Sequence, residues 1–449
     1  MNMKKKLVLA FLLCCIQPAV FAADLMEVYC QAVVSDPTFQ QAIAQQLVTR
    51  ENVPITLAPL LPSAGIGIVP TISKSHASGP AAFLGSQTAR GYTSELTLSQ
   101  TIFDFAQFYG FSGARSLAKG ADATLSAASQ ALIIRTAQAY FKILEDQDNL
   151  VYIISTRTAF EKQLDQVKQQ YNVGLKTVTD VYTAEAAYQT SVAATIEAEN
   201  TLAVDKENLR AITGVYYPKL ARLRDDFPLV KPQPANIDDW VTIAGKQNWS
   251  IKAAQYSAQA ARKNVSQQFA GNLPTLNVEG TYQNNYTYNV GGDPSLGNVG
   301  SARILTSTAM LNLNIPIVEG GLVTAQTKQA KYNYQLSLQQ LEFTLRNTLY
   351  QTRQNYLGVL AGISKIAADK ESIKSNASSV AGMEAGYQVG TEILVNVLNQ
   401  QKNLFLAQKQ YATDRYAYVN NFLALKQAAG TLSQCDLEQI NKWLEKRTG

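Results

Sequence analysis

The sequence predicts an α+β protein made of one large unit repeated twice, each unit carrying a pair of β-strands followed by a long helical hairpin. Three observations carry this. Tyr171-Asn172-Val173-Gly174-Leu175-Lys176-Thr177-Val178-Thr179-Asp180-Val181 recurs as Tyr387-Gln388-Val389-Gly390-Thr391-Glu392-Ile393-Leu394-Val395-Asn396-Val397. The same offset of about 215 residues relates Asp104 to Glu319 and Gly214 to Gly430, and nearly the same offset relates Leu61-Pro62 to Leu273-Pro274. Finally, each copy follows a run of roughly 65 residues without proline, enough for about 100 Å of helix at 1.5 Å per residue.

The chain opens with Lys4-Lys5-Lys6, the apolar run Leu7 to Ile16 and the small-residue site Val20-Phe21-Ala22. Residues 1–22 therefore read as an export signal. Cys14 and Cys15 lie inside that run, and Leu13 is too large for a lipoprotein cleavage site. No other apolar stretch reaches the about 18 to 20 residues of a membrane-spanning helix, so strands would have to do any crossing.

From Leu25 to about Pro54 the pattern is helical, with a break at Ser35-Asp36-Pro37, where a capping residue precedes a proline at a first helical position. The period then changes from helix to strand. Residues 63–72 and 92–103 alternate apolar with small or polar side chains, joined by a Ser/Gly/Ala/Pro-rich loop, Ser73 to Gly91, that holds the one histidine, His76. The second unit repeats this with strands at about 274–289 and 302–317 around a loop from Gly291 to Gly300.

The helices follow: about Ala106 to Tyr171 and Leu322 to Tyr387, with shorter returns at about Asp180 to Ile212 and Asn396 to Ala428. In each tip the glycine suits a helix stop, and a Thr or Asp just after it suits a cap. The repeats span 23–217 and 240–430, separated by a linker at 218–239 and followed by a C-terminal segment, 431–449.

Four strands cannot close a barrel in lipid, where unpaired backbone groups are costly and barrels have about eight strands or more. Either the strands form a soluble sheet, as in a helical adhesive or structural protein, or several chains share one barrel. The long helices favour the second reading. Ala, Ser and Gln along them allow close approach with a wet face, and no leucine seam of a coiled-coil stalk is sustained.

Only 16% of residues are charged, against roughly 25% in ordinary soluble domains, and Gln, Asn, Ser, Thr, Ala and Tyr make up the difference. A net charge of +5 over 449 residues, with no dense basic cluster, argues against nucleic acid as a partner. One histidine, no Cys/His cluster, no phosphate loop and no nucleophile elbow leave no catalytic residues and no metal or cofactor site to nominate. Beyond the signal the chain keeps Cys30 and Cys435. A disulfide between them is one reading and two isolated buried thiols the other. Trp240, Trp249 and Trp443 are expected in the core of a belt around the helices.

Taken together, Leu25-Met26-Glu27-Val28-Tyr29, Tyr171-Asn172-Val173-Gly174 with Thr179-Asp180-Val181, Ile212-Thr213-Gly214-Val215-Tyr216-Tyr217-Pro218, Pro316-Ile317-Val318-Glu319-Gly320-Gly321 and Met383-Glu384-Ala385-Gly386-Tyr387-Gln388-Val389-Gly390 resemble the TolC family of outer-membrane efflux proteins. The resemblance covers nearly the whole chain beyond the signal. It implies a homotrimer whose four-strand contributions make a twelve-stranded outer-membrane barrel continued by a periplasmic α-helical barrel. It also implies an exit duct for drug efflux or type I secretion, with a periplasmic adaptor and an inner-membrane RND, ABC or MFS transporter as partners.

Carried over by position, the family's periplasmic gate falls on Thr179, Asp180, Tyr387 and an arginine that is Glu392 here. Lys176 holds the equivalent position in the first copy, so an exchanged Lys176–Glu392 pair is expected at the gate. The family's aspartate rings at the constriction fall on Asn396 and Asn399, amides that give dipoles in place of carboxylate charge. The tip residues Gly174, Leu175, Gly390 and Thr391 are the expected adaptor contact.

Overall fold

The structure, a computed structural model, describes residues 22–76, 78–79, 86–289 and 301–445. The signal expected over 1–22 and the loop expected over 291–300 thus lie almost wholly outside the described residues. The elements in order are α1 (Leu25–Ser35), α2 (Pro37–Leu57), β1 (Ser63–His76), β2 (Ser86–Phe103), α3 (Phe105–Asn172), α4 (Val178–Thr213), α5 (Ile237–Gln247), α6 (Trp249–Phe269), β3 (Thr275–Asn289), β4 (Ala302–Asn314), α7 (Leu322–Val389), α8 (Leu394–Ala428) and α9 (Gln434–Asn441). No described helix is long and apolar enough to cross a membrane.

Two units emerge, Met1–Ile43 with Leu125–Ile251 and Leu345–Gly449, and Ala44–Thr124 with Lys252–Thr344. The second unit holds one antiparallel four-stranded sheet in the order β1-β2-β3-β4. Its register sorts the side chains. Ile66 pairs with Leu96 and Leu96 with Tyr282, while Ala64, Leu98, Gly280 and Ala309 form the next such row and Val278 faces Leu311. On the opposite face run Gly67–Glu95–Gln283–Thr306 and Gly65–Thr97–Thr281–Thr308. Residues directly opposite one another share a face, so the pairing turns four loosely alternating segments into one apolar and one polar surface.

The apolar side chains stand open: Ile66 is 79% exposed and Leu311 69%. β1 and β4, at the ends of the strand order, each leave one edge unpaired within the chain. The first pair of strands runs further into the expected loop than alternation suggests, to His76 opposite Ser86, because a backbone ladder continues through Ser, Thr and Lys side chains as readily as through apolar ones. β4 stops at Asn314, short of the expected 317, where Ile315-Pro316 follows and proline has no N–H for a ladder.

The first unit is helical around a core centred on α3, where Leu132, Ile133, Ile134, Ala137, Tyr140 and Phe141 are buried in succession. A helix buried nearly all round at this level shows no clean apolar stripe. The connection between the repeats wraps the core and is held by side chains that catch its carbonyls. Tyr140 donates to Ala221 O at 2.8 Å, Arg415 to Leu223 O at 3.1 Å, Tyr418 to Val230 O at 2.9 Å and Trp240 Nε1 to Pro234 O at 2.7 Å. Trp240 and Trp443 lie in this core, and Trp249 is half-buried.

The break at Asp36 is built as a cap: its carboxylate accepts from Phe39 N at 2.7 Å and pairs with Arg135 at 2.6 Å. α2, in contrast, runs through Pro54 for three more residues before ending. Of the two readings of the cysteines, the disulfide does not form, and neither thiol is fully buried: Cys30 is half-buried and Cys435 exposed. On α9 the buried face is Asp436, Leu437 and Ile440, which turns Cys435 outward. On α1 the buried face is Leu25, Val28, Tyr29 and Ala32, with Cys30 at its margin.

Candidate functional site: the hairpin tips

Both tips, which belong to the first unit, share one backbone design. Gly174 and Gly390 take φ of +78° and +83°, a left-handed conformation that ordinary residues adopt only at a cost. The N–H of Gly174 donates to Tyr171 O at 2.9 Å and that of Leu175 to Gln170 O at 2.9 Å. In the second tip Gly390 N–H donates to Tyr387 O at 3.3 Å and Thr391 N–H to Gly386 O at 2.9 Å. These bonds satisfy carbonyls that the end of a long helix would leave bare.

The return helices start differently. Thr177 caps α4 in a reciprocal box: its hydroxyl accepts from Asp180 N at 3.2 Å and donates to the Asp180 carboxylate at 2.8 Å, which also accepts from Thr177 N at 3.1 Å. At the start of α8 the capping position is Ile393, which has no side-chain oxygen to offer. Glu392 is engaged instead by Asn396, whose amide donates to Glu392 Oε2 at 2.8 Å.

Tyr387 joins the two tips. Its ring is 5% exposed, packed in a small apolar cluster with Phe160, Leu164 and Val167 of α3, Ala184 of α4 and Leu394, Val397 and Leu398 of α8. The Lys176 ammonium lies over this ring, 4.1 Å from its centroid. A cation over the face of a tyrosine is attracted to the negative ring quadrupole. The Tyr387 hydroxyl reaches Gln170 Oε1 at 3.5 Å.

The structure therefore brings Lys176 and Tyr387 together, while within one chain Glu392 finds Asn396. Asp180 is occupied by its cap, and Thr179, Gly174, Leu175, Gly390 and Thr391 are exposed. Asn396 and Asn399 are both exposed on α8, beside the buried Val397 and Leu398. Sequence reasoning missed the stacking of Lys176 and the role of Gln170. Both depend on which faces of α3 and α7 meet, and no spacing along one strand of sequence reports that.

The outer membrane efflux protein family matches residues 28–215 and 240–431, the two repeats in turn. The chain is 35% identical over 433 residues to outer membrane protein TolC of Escherichia coli (strain K12), covering 95% of this chain and 86% of that protein. It is 26% identical over 436 residues to the alkaline protease secretion protein AprF of Pseudomonas aeruginosa, covering 96% and 89%. Among solved structures, the Campylobacter jejuni CmeC outer membrane channel superposes with a TM-score of 0.75 at 16% identity, over 94% of this chain and 90% of that one. With the tips, the sheet and both repeats accounted for, this chain belongs to the outer membrane efflux protein family.

Proposed function

We propose that the chain is the outer-membrane exit duct of a tripartite efflux or type I secretion system, working as a homotrimer. The observation that carries this reading is the sheet: four strands with one apolar and one polar face and two open edges, in a chain whose described helices cannot cross a membrane. Edges and an exposed apolar face are together tolerable in hydrocarbon only if other copies close the sheet into a barrel. Three copies supply twelve strands. The polar rows through Glu95, Gln283 and Thr306 then line a wet lumen, and Ile66, Leu96 and Leu311 meet lipid.

The family is one of transport channels, and we read this chain as a channel with no catalytic role. The exposed tips around Gly174, Leu175, Gly390 and Thr391 are the surface we assign to a periplasmic adaptor, which couples the duct to an inner-membrane RND, ABC or MFS transporter. Heat-modifiable migration of a trimer from outer-membrane fractions, with ion conductance in planar bilayers, is the expected result. A soluble monomer that conducts nothing overturns the assignment and leaves a helical structural or adhesive protein.

We assign the gate to Thr179, Asp180, Tyr387, Lys176 and Glu392. With Lys176 on the Tyr387 ring and Glu392 on Asn396 within each chain, a Lys176–Glu392 pair has to run between copies. Glu392→Lys and Lys176→Glu should each raise resting conductance and their combination should lower it again; no rescue in the double variant refutes the pairing. Asn396 and Asn399 are assigned to the constriction, where Asn396→Asp with Asn399→Asp should strengthen block by trivalent cations. Equal block before and after removes them from the lining.

A further inference from the structure

Outside the tips, each helical hairpin brings two aspartates face to face, one buried and one half-buried. In the first hairpin Asp146 of α3 meets Asp205 of α4; in the second, Asp369 of α7 meets Asp414 of α8. These positions are not equivalent under the offset that relates the repeats. Each long helix carries a lysine four residues before its aspartate, Lys142 and Lys365.

The two sites share an unsatisfied atom. Asp146 Oδ2 and Asp369 Oδ2 are buried and accept no hydrogen bond. The donors present are taken by other oxygens: Lys142 holds Asp146 Oδ1 at 2.9 Å, Lys365 lies 3.6 Å from Asp414 Oδ1, and Gln410 donates to Asp414 Oδ2 at 2.8 Å. A buried carboxylate oxygen facing a second carboxylate is costly twice, through desolvation and through like-charge repulsion. One proton placed between the two oxygens removes the repulsion, halves the charge that must be desolvated and supplies the missing hydrogen bond.

We propose that each hairpin carries a proton-binding site, one proton shared between Asp146 and Asp205 and another between Asp369 and Asp414, which tightens helix packing as the periplasm acidifies. The surrounding charges permit this without supplying a substitute donor. Around Asp146, Glu145 accepts from Thr413 at 2.8 Å and also contacts Lys142 at 3.5 Å. Glu197 of α4 and Lys409 of α8 line an adjoining cavity of about 300 Å³. Around Asp369 and Asp414, Lys370 lies over the Tyr411 ring, and the terminal nitrogens of Arg415 bond Leu223 O, Arg224 O and Asp225 while its Nε bonds no acceptor.

Burial, then the neighbouring Asp205, pushes the Asp146 carboxyl up to about 6 against the pull of Lys142. Burial, then Asp414, pushes Asp369 up to about 6 against Lys365. The sign follows. An acid with a raised native pKa binds more protons folded than unfolded, so its contribution is fully present below about pH 4 and is lost as the pH rises through about 6. These hairpins thus loosen toward neutral pH.

The test uses the full-length trimer in detergent. Infrared difference spectra between about pH 7.5 and about pH 5 should show a protonated-carboxyl C=O band titrating near 6, reduced by Asp146→Asn or by Asp369→Asn and absent with both. Hairpin amides, corrected for intrinsic rates, should exchange about three- to tenfold more slowly at the lower pH, and the double variant should be flat. Asp205→Asn and Asp414→Asn test the same sites from the other side, with trimer migration checking assembly. Absence of the band in the wild type, or a pH response unchanged in the double variant, overturns the proposal. Neither readout depends on conductance, so the outcome is separable from that of the channel assignment.

Discussion

The two tips are copies of one turn, yet they hold their return helices with different strength. The first has a complete capping box, Thr177 with Asp180, and a lysine resting on a buried tyrosine. The second has Ile393 at the capping position and spends its charged residue, Glu392, on Asn396 one turn later. The shared part is backbone and the divergent part is side chain. What duplication preserved is the chain reversal, which glycine and the end of a helix dictate. What diverged is the local stability of each reversal, which places the softer joint at the start of α8.

The contrast can be broken most severely at the residue both tips depend on. Tyr387→Ala empties the cluster between Phe160, Val167 and Val397 and removes the surface under Lys176. It should lower the local opening free energy of both tips by about 3 to 5 kcal/mol, read as faster amide exchange. Loss confined to α7 and α8 would mean the tips are energetically separate.

Gly174→Ala and Gly390→Ala probe the shared backbone. Both positions have positive φ and open space around them, so the cost is the left-handed conformation alone, about 1 to 2 kcal/mol. Equal losses are expected at the two tips, and unequal ones would show that the reversals are not equivalent.

The caps sharpen the difference. Thr177→Ala should weaken the start of α4 by about 1 kcal/mol, and Ile393→Ser should strengthen the start of α8 by a similar amount. Ile393 already has extended dihedrals suited to a cap, φ −96° and ψ 151°, and is 62% exposed, so the exchange sacrifices little packing. Exchange protection at the first turns of α4 and α8 should converge when both changes are made.

The smallest effect belongs to the lysine: Lys176→Met should cost about 0.5 to 1 kcal/mol at the first tip, because its stem still covers the ring while the charge is lost. Protection around Tyr387 should fall slightly and become insensitive to salt. A loss as large as that of Tyr387→Ala would mean that the lysine, and not the apolar cluster, holds the tips together.

The reversals, the long helices and the strand segments were legible because each depends on neighbours in sequence. Glycine at +3 of Tyr-Asn-Val-Gly and Tyr-Gln-Val-Gly stops a helix wherever it stands, and a proline-free run rich in Ala and Gln has little alternative to helix. Pro316 ends β4 for a local reason too, although the alternation of Leu313, Ile315 and Ile317 carried the expected strand on to 317. Compartment and count left Cys30 and Cys435 between a disulfide and two buried thiols, whereas the buried faces of α1 and α9 decide where a thiol points. Lys176 illustrates the same limit. Its place opposite Glu392 in the repeat suggested a charge pair, and the packing of α7 on α3 put an aromatic ring beneath it.

By itself, then, the sequence determined the duplication, the order of strand pairs and hairpins, and the family, because those reside in periodicity, breakers and recurring motifs along the chain. Only the tertiary structure decided which strand rows form an apolar face, that Tyr387 binds both tips, and that Asp146 meets Asp205 while Asp369 meets Asp414. Those facts turn on rotation and register between elements. A strand slipped by one residue, or a helix turned by a third of a circle, keeps every local preference satisfied and exchanges every contact.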